Sequence, residues 1–139
     1  MDLAAVGTDV EKVIATEEQL SAKIAELAAR VDADYKDKNV LLVGVLKGAI
    51  MAMADLTRAM QTHIEMDWMA VSSYGSGTKS SGVVRILKDL DRDITGRHVL
   101  IVEDIVDTGL TLSWLKANLE SRGAADVKIL TLLRKPEAA

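Results

Sequence analysis

The stretch VLIVEDIVDTGLTLSW, residues 99–114, decides how the chain is read. Four apolar residues, Val99, Leu100, Ile101 and Val102, run without a polar break into Glu103 and Asp104. A run that is apolar on both alternating faces suits a strand buried in a parallel sheet better than one with a wet face. Asp107, Thr108, Gly109 and Thr111 then form a short acidic turn, and Leu112, Leu115 and Leu119 recur at helical spacing. The stretch therefore reads as strand, turn and helix start.

The rest of the chain repeats that alternation. Thr16 and Gln19 have capping-box spacing ahead of Leu20, Ile24, Leu27 and Val31, which predicts an amphipathic helix to about Tyr35. Residues 40–45 are a second fully apolar strand, followed by Leu46-Lys47-Gly48 and a helix over about 49–60. Alternation from Ile64 to Val71 predicts a strand that ends where SSYGSGTKSSG, residues 72–82, loses all periodicity. Strands are expected at 83–87 and 127–133, and a helix at about 110–121 stopped by Arg122-Gly123. Helices alternating with apolar strands give an α/β domain: a Rossmann-like, mainly parallel central sheet flanked by helices. In such sheets ligands bind beyond the carboxyl ends of the strands. Lys47-Gly48, the segment 103–111 and Arg134-Lys135 all fall at such ends.

Composition narrows the function classes. The 139 residues are 49% hydrophobic and 27% charged, as in an ordinary globular domain. A net charge of -4 gives no general attraction for nucleic acid or anionic membranes, and the apolar runs are too short to span a bilayer. Without cysteine there are no disulfides or thiolate metal sites. A cytoplasmic protein is expected. Aromatic residues make up 3%, with no phenylalanine, so aliphatic side chains and methionine must build the core.

The turn after residue 102 has the makings of an anion site, because backbone N–H groups and the positive end of a helix dipole face the ligand there. Thr108 and Thr111 add hydroxyls, and Gly109 lets the ligand approach the backbone. The acids oppose a bare phosphate, since two unit charges about 6 Å apart repel by roughly 3 kcal/mol at an effective dielectric of 20. Two arrangements remove the conflict: the acids accept hydrogen bonds from sugar hydroxyls, or they hold a hydrated Mg²⁺ that also grips phosphate oxygens. A ligand carrying phosphate, ribose and a metal-bound diphosphate satisfies both. An acidic strand-to-helix loop also occurs in receiver-type signalling domains. Neither a Walker loop nor G-x-G-x-x-G is present.

VLIVEDIVDTGLT, residues 99–111, resembles the phosphoribosyl-diphosphate-binding motif of type I phosphoribosyltransferases, in the form used by hypoxanthine(-guanine) phosphoribosyltransferases. LLVGVLKGA (41–49), VSSYGSGTKSSGVVRILKDLD (71–91) and LLRKPEA (132–138) are similar to the same family, so the likeness covers essentially the whole chain. It implies the type I phosphoribosyltransferase fold as a single domain over 1–139, lacking a C-terminal segment, with 72–82 as a mobile lid. It further implies purine salvage: transfer of phosphoribosyl from its diphosphate to hypoxanthine or guanine, with Mg²⁺, in a homo-oligomer (dimer or tetramer). By resemblance, Glu103 and Asp104 bind the ribose hydroxyls and the metal, and Asp107 is the catalytic acid or base at purine N7. Thr108, Gly109, Leu110 and Thr111 surround the 5′-phosphate. Lys47 and Gly48 contact the diphosphate across a peptide that is often cis in the family, and Ser73 and Tyr74 reach the same group from the lid. Lys135 bonds the purine 6-oxo group. Trp68 and Trp114 read as packing residues, and His63 and His98 carry no role. The rival implication is a non-catalytic regulatory domain of the same fold that senses phosphoribosyl diphosphate. The acidic chain shows no basic surface to go with it.

Overall fold

The computed structural model describes residues 16–74, 83–106 and 109–134. Helix α1 (Glu17–Asp34) starts at Thr16, whose Oγ1 accepts from the Gln19 N–H at 3.1 Å while the Thr16 N–H donates to Gln19 Oε1 at 2.8 Å. This reciprocal cap satisfies two donors that a helix start otherwise leaves bare. Ile24, Leu27, Ala28 and Val31 form its buried stripe. Strand β1 (Val40–Val45) is buried along nearly its whole length. Helix α2 (Ile50–Ala59) follows and buries Ala52, Met53 and Leu56. Strands β2 (Ile64–Tyr74), β3 (Val83–Lys88) and β4 (His98–Val106) lead to helix α3 (Leu110–Glu120), and β5 (Asp126–Arg134) closes the series.

The five strands lie in the order β3-β2-β1-β4-β5. All neighbours are parallel except β2 and β3, so the sheet is mainly parallel with one antiparallel edge. The strands alternate their side chains between two cores. Val40 and Leu42 join α1 and α2 on one face, with Leu100, Val102 and Leu130. Leu41 and Val43 join Leu112, Leu115 and Leu119 of α3 on the other, with Val99 and Ile101.

Two boundaries and the burial of one residue differ from expectation. β4 does not stop at Val102: it continues to Val106, because β5 runs alongside and pairs Glu103 with Thr131 and Ile105 with Leu133. The acids thus sit on a strand, not in a loop. Strand β2 also runs further than expected, since Ser72, Ser73 and Tyr74, the first residues of the expected lid over 72–82, end β2 and pair with Arg85, Val84 and Val83. The remainder of that lid lies outside the described residues. Finally, Asp67 is 3% exposed although alternation would place it with the solvated residues. One carboxylate oxygen accepts from the Trp68 N–H at 2.8 Å, and the other accepts from the Asp91 N–H at 3.0 Å and faces Arg92 Nε at 3.3 Å. Those partners make burial of the charge tolerable.

Candidate active site

β1 and β4 are neighbours, yet α2 and α3 leave them for opposite faces of the sheet. The chain therefore diverges at their carboxyl ends and opens a crevice at the topological switch point. Into this crevice β1 delivers Lys47 and Gly48, and β4 delivers Glu103 and Asp104.

The approach is close. A Cβ placed on Gly48 would lie 3.4 Å from Asp104 Oδ1, 3.6 Å from Asp104 Oδ2 and 3.7 Å from Glu103 Oε1. The Leu46–Lys47 peptide is cis. The Leu46 N–H donates to the Met69 carbonyl at 2.8 Å, and the Lys47 carbonyl accepts from the Ile50 N–H at 3.2 Å, tying the loop to β2 and to the start of α2. The Lys47 side chain is exposed.

Each acid folds back on the next peptide: the Asp104 N–H donates to Glu103 Oε1 at 3.0 Å, and the Ile105 N–H to Asp104 Oδ1 at 2.8 Å. Burial, reinforced by the Asp104 carboxyl beside it, pushes the Glu103 carboxyl up to about 7, while the Asp104 N–H pulls the other way. Two carboxylates held together with this little compensation make a hard-oxygen donor pair that a cation would relieve. Among the described residues, no three acidic, histidine or cysteine side chains converge into a complete metal cage. The pair suits a Mg²⁺ that keeps water and takes further oxygens from a substrate, the usual habit of that ion.

Gly109 is the N-cap of α3, with φ 83, a backbone region that a residue bearing a Cβ enters only at a cost. It places Leu110 and Thr111 in the first turn, at the positive end of the helix dipole. The backbones of Ser73 and Tyr74 end β2, which runs parallel to β1 and so finishes at the same rim. Asp107, Thr108 and Lys135 lie outside the described residues. Geometry thus brings together Lys47-Gly48 and Glu103-Asp104, with Gly109, Leu110 and Thr111 next along the chain from β4.

Other polar clusters lie elsewhere. His98 Nδ1 pairs with Asp126 Oδ2 at 2.7 Å at the opposite, amino end of β4 and β5. A groove of about 410 Å³ between α1 and β5, lined by Lys23, Arg30 and Lys128 among others, contains none of the expected site residues. Trp68 and Trp114 pack against the two cores, as expected. What sequence reasoning missed is the contact of Trp68 with Gly44, for which a glycine inside a strand was the available signal.

Residues 12–139 match the model of the phosphoribosyl transferase domain family. The chain is 55% identical over 136 residues to the hypoxanthine-guanine phosphoribosyltransferase of Mycobacterium tuberculosis, covering 94% of this chain and 67% of that protein. It is 52% identical over 128 residues to the enzyme of the same name from Bacillus subtilis, covering 92% and 71%. Among solved structures, a hypoxanthine phosphoribosyltransferase from Staphylococcus aureus superposes with a TM-score of 0.93 at 41% identity, over 100% of this chain and 77% of that one.

Proposed function

The chain belongs to the phosphoribosyltransferase family, and on that premise we propose that it performs purine salvage, joining hypoxanthine or guanine to the ribose 5-phosphate of phosphoribosyl diphosphate. The observation that carries this reading is the convergence of a bare Gly48 backbone with the Glu103 and Asp104 carboxylates at the switch point. Those acids accept from the ribose hydroxyls and hold Mg²⁺. Lys47 and Gly48 receive the diphosphate, with Ser73 and Tyr74 approaching from the β2 rim. Thr108, Gly109, Leu110 and Thr111 receive the 5′-phosphate at the start of α3. Lys135, a donor only, selects a 6-oxo group over a 6-amino group.

In the reaction the ribose C1–O bond breaks and its electron pair leaves with the diphosphate. Purine N9 bonds to C1, and the N7 proton passes to Asp107. The chemistry that bound Mg²⁺ supplies is neutralisation of charge on the departing group. Lys47 holds that group in place, and closure over the site keeps water from the cationic sugar.

The reading includes a cytoplasmic, homo-oligomeric protein. No helix among the described residues is long and apolar enough to cross a membrane.

The test is formation of IMP from hypoxanthine, phosphoribosyl diphosphate and Mg²⁺, together with calorimetry of phosphoribosyl diphosphate binding. Asp104→Asn should weaken the Mg²⁺-dependent binding at least about tenfold, roughly 1.4 kcal/mol. Folded protein that takes up no phosphoribosyl diphosphate with Mg²⁺, and turns over no 6-oxopurine, would remove the assignment.

A further inference from the structure

We propose that Trp68 is a positioning residue that sets the geometry of the Lys47-Gly48 loop; this rests on the reading of that loop as the diphosphate site. Gly44 of β1 and Trp68 of β2 are register partners. A Cβ on Gly44 would fall 2.5 Å from Trp68 Cζ3, 2.7 Å from Trp68 Cε3 and 3.0 Å from Met53 Cε. The six-membered ring of the indole therefore lies directly on the bare Gly44 backbone, beside the end of the Met53 side chain. Gly44 is on the strand that enters the loop. Met53 is in the first turn of the helix that leaves it, its N–H donating to the Ala49 carbonyl at 2.9 Å. One rigid ring thus adjoins both arms of the connection whose tip is Lys47-Gly48.

The Trp68 main chain, which carries the ring, is itself anchored. The Trp68 N–H donates to Oδ1 of the buried Asp67 at 2.8 Å, and the Trp68 carbonyl accepts from Lys88 Nζ at 3.1 Å. The next residue, Met69, accepts from the Leu46 N–H. The ring is partly buried and packs against the first core, and on that packed side a change of its volume is passed to its neighbours. A smaller ring lets β1 and α2 move relative to each other, and a methyl on Gly44 forces them apart. Either change displaces the loop from the carboxylates it faces. Displacements of about 1 Å from residues outside the chemistry can cost on the order of a hundredfold.

Calorimetry with two probes tests this: Mg²⁺ with inorganic diphosphate, which uses the loop, and IMP, which lacks a diphosphate. Trp68→Leu and Gly44→Ala should each weaken diphosphate binding about tenfold and leave IMP within twofold, with folding checked by circular dichroism. Gly44→Ala combined with Trp68→Leu should recover most of the loss, because leucine leaves room for the new methyl. Trp68→Phe, the milder change, should weaken diphosphate binding less than Trp68→Leu. Equal weakening of both probes in folded variants would reduce Trp68 to a general packing residue. Unchanged diphosphate binding in Trp68→Leu, or no recovery in the double variant, would also overturn the proposal. A parent chain that binds neither probe would remove the transferase reading and this inference together.

Discussion

At Gly48 the space available to a side chain is bounded by carboxylate oxygens, the nearest 3.4 Å from where a Cβ would stand. That distance is an ordinary contact, and no positive φ is recorded at this glycine. Gly48→Ala should therefore fold normally, with stability within about 0.5 kcal/mol of the parent by urea denaturation. The methyl would nonetheless occupy the gap where a diphosphate oxygen has to lie beside the acids. Binding of phosphoribosyl diphosphate with Mg²⁺ should fall about tenfold or more by calorimetry. A variant with unchanged affinity would mean that the ligand does not pass between Gly48 and Asp104. The residue types of this site are legible in the sequence, since Lys-Gly and Glu-Asp both end apolar runs. Their convergence is not legible, because it depends on β1 and β4 being neighbours although 58 positions separate Val40 from its partner His98.

Among the elements, α1 is held to the rest of the fold partly through Asp32 in its last turn. The Asp32 carboxylate accepts from the Gln61 N–H at 3.1 and 2.9 Å and from the Thr62 N–H at 2.9 Å, so it caps the connection from α2 to β2. Burial works to raise its pKa, but the hydrogen bonds from Gln61 and Thr62 outweigh it and the carboxyl titrates below its ordinary value. A depressed carboxylate contributes stability that is present above the unfolded pKa and lost as pH falls through the folded one. Asp32→Ala should cost about 0.5–1.5 kcal/mol near neutral pH, the net worth of such hydrogen bonds where water can reach the donors left behind. In urea titrations the gap between Asp32→Asn and the parent should close as pH drops below about 4. A gap that persists undiminished at pH 2.5 would assign the effect to something other than the charged carboxylate. This link is invisible in the sequence, where Asp32 is one more polar residue on an amphipathic helix. The helices and the apolar strands were readable because periodicity and burial agree in them. The ends of β2 and β4 were not, because Ser72 to Tyr74 and Glu103-Asp104 are drawn into strands by neighbours, β3 and β5, that a local window does not contain. Asp67 failed for the same reason: its partners at Asp91 and Arg92 lie 24 and 25 positions away.

On the scale of the molecule, one sheet serves two cores. Consecutive residues of β1 divide between them, Val40 and Leu42 to the α1–α2 side and Leu41 and Val43 to the α3 side, all four at 0% exposure. Neither core can come apart while β1 remains in place, so the domain should unfold in a single transition. The two tryptophans provide a probe of each face, Trp68 against the first core and Trp114 against the second. Leu115 is completely buried on the α3 side. Leu115→Ala should cost about 2–5 kcal/mol, a large share of the 5–15 kcal/mol usual for a domain. Measured in Trp114→Phe and Trp68→Phe backgrounds, each corrected for its own parent, this substitution should lower the urea midpoint reported by the remaining tryptophan by the same amount. The distant face must feel the cavity as strongly as the near one, because the strand that loses its packing on one side carries the packing on the other. If Trp114 reported the earlier transition while Trp68 kept its original midpoint, the two faces would be separate folding units. The crevice between β1 and β4, which depends on both, would then have no common support.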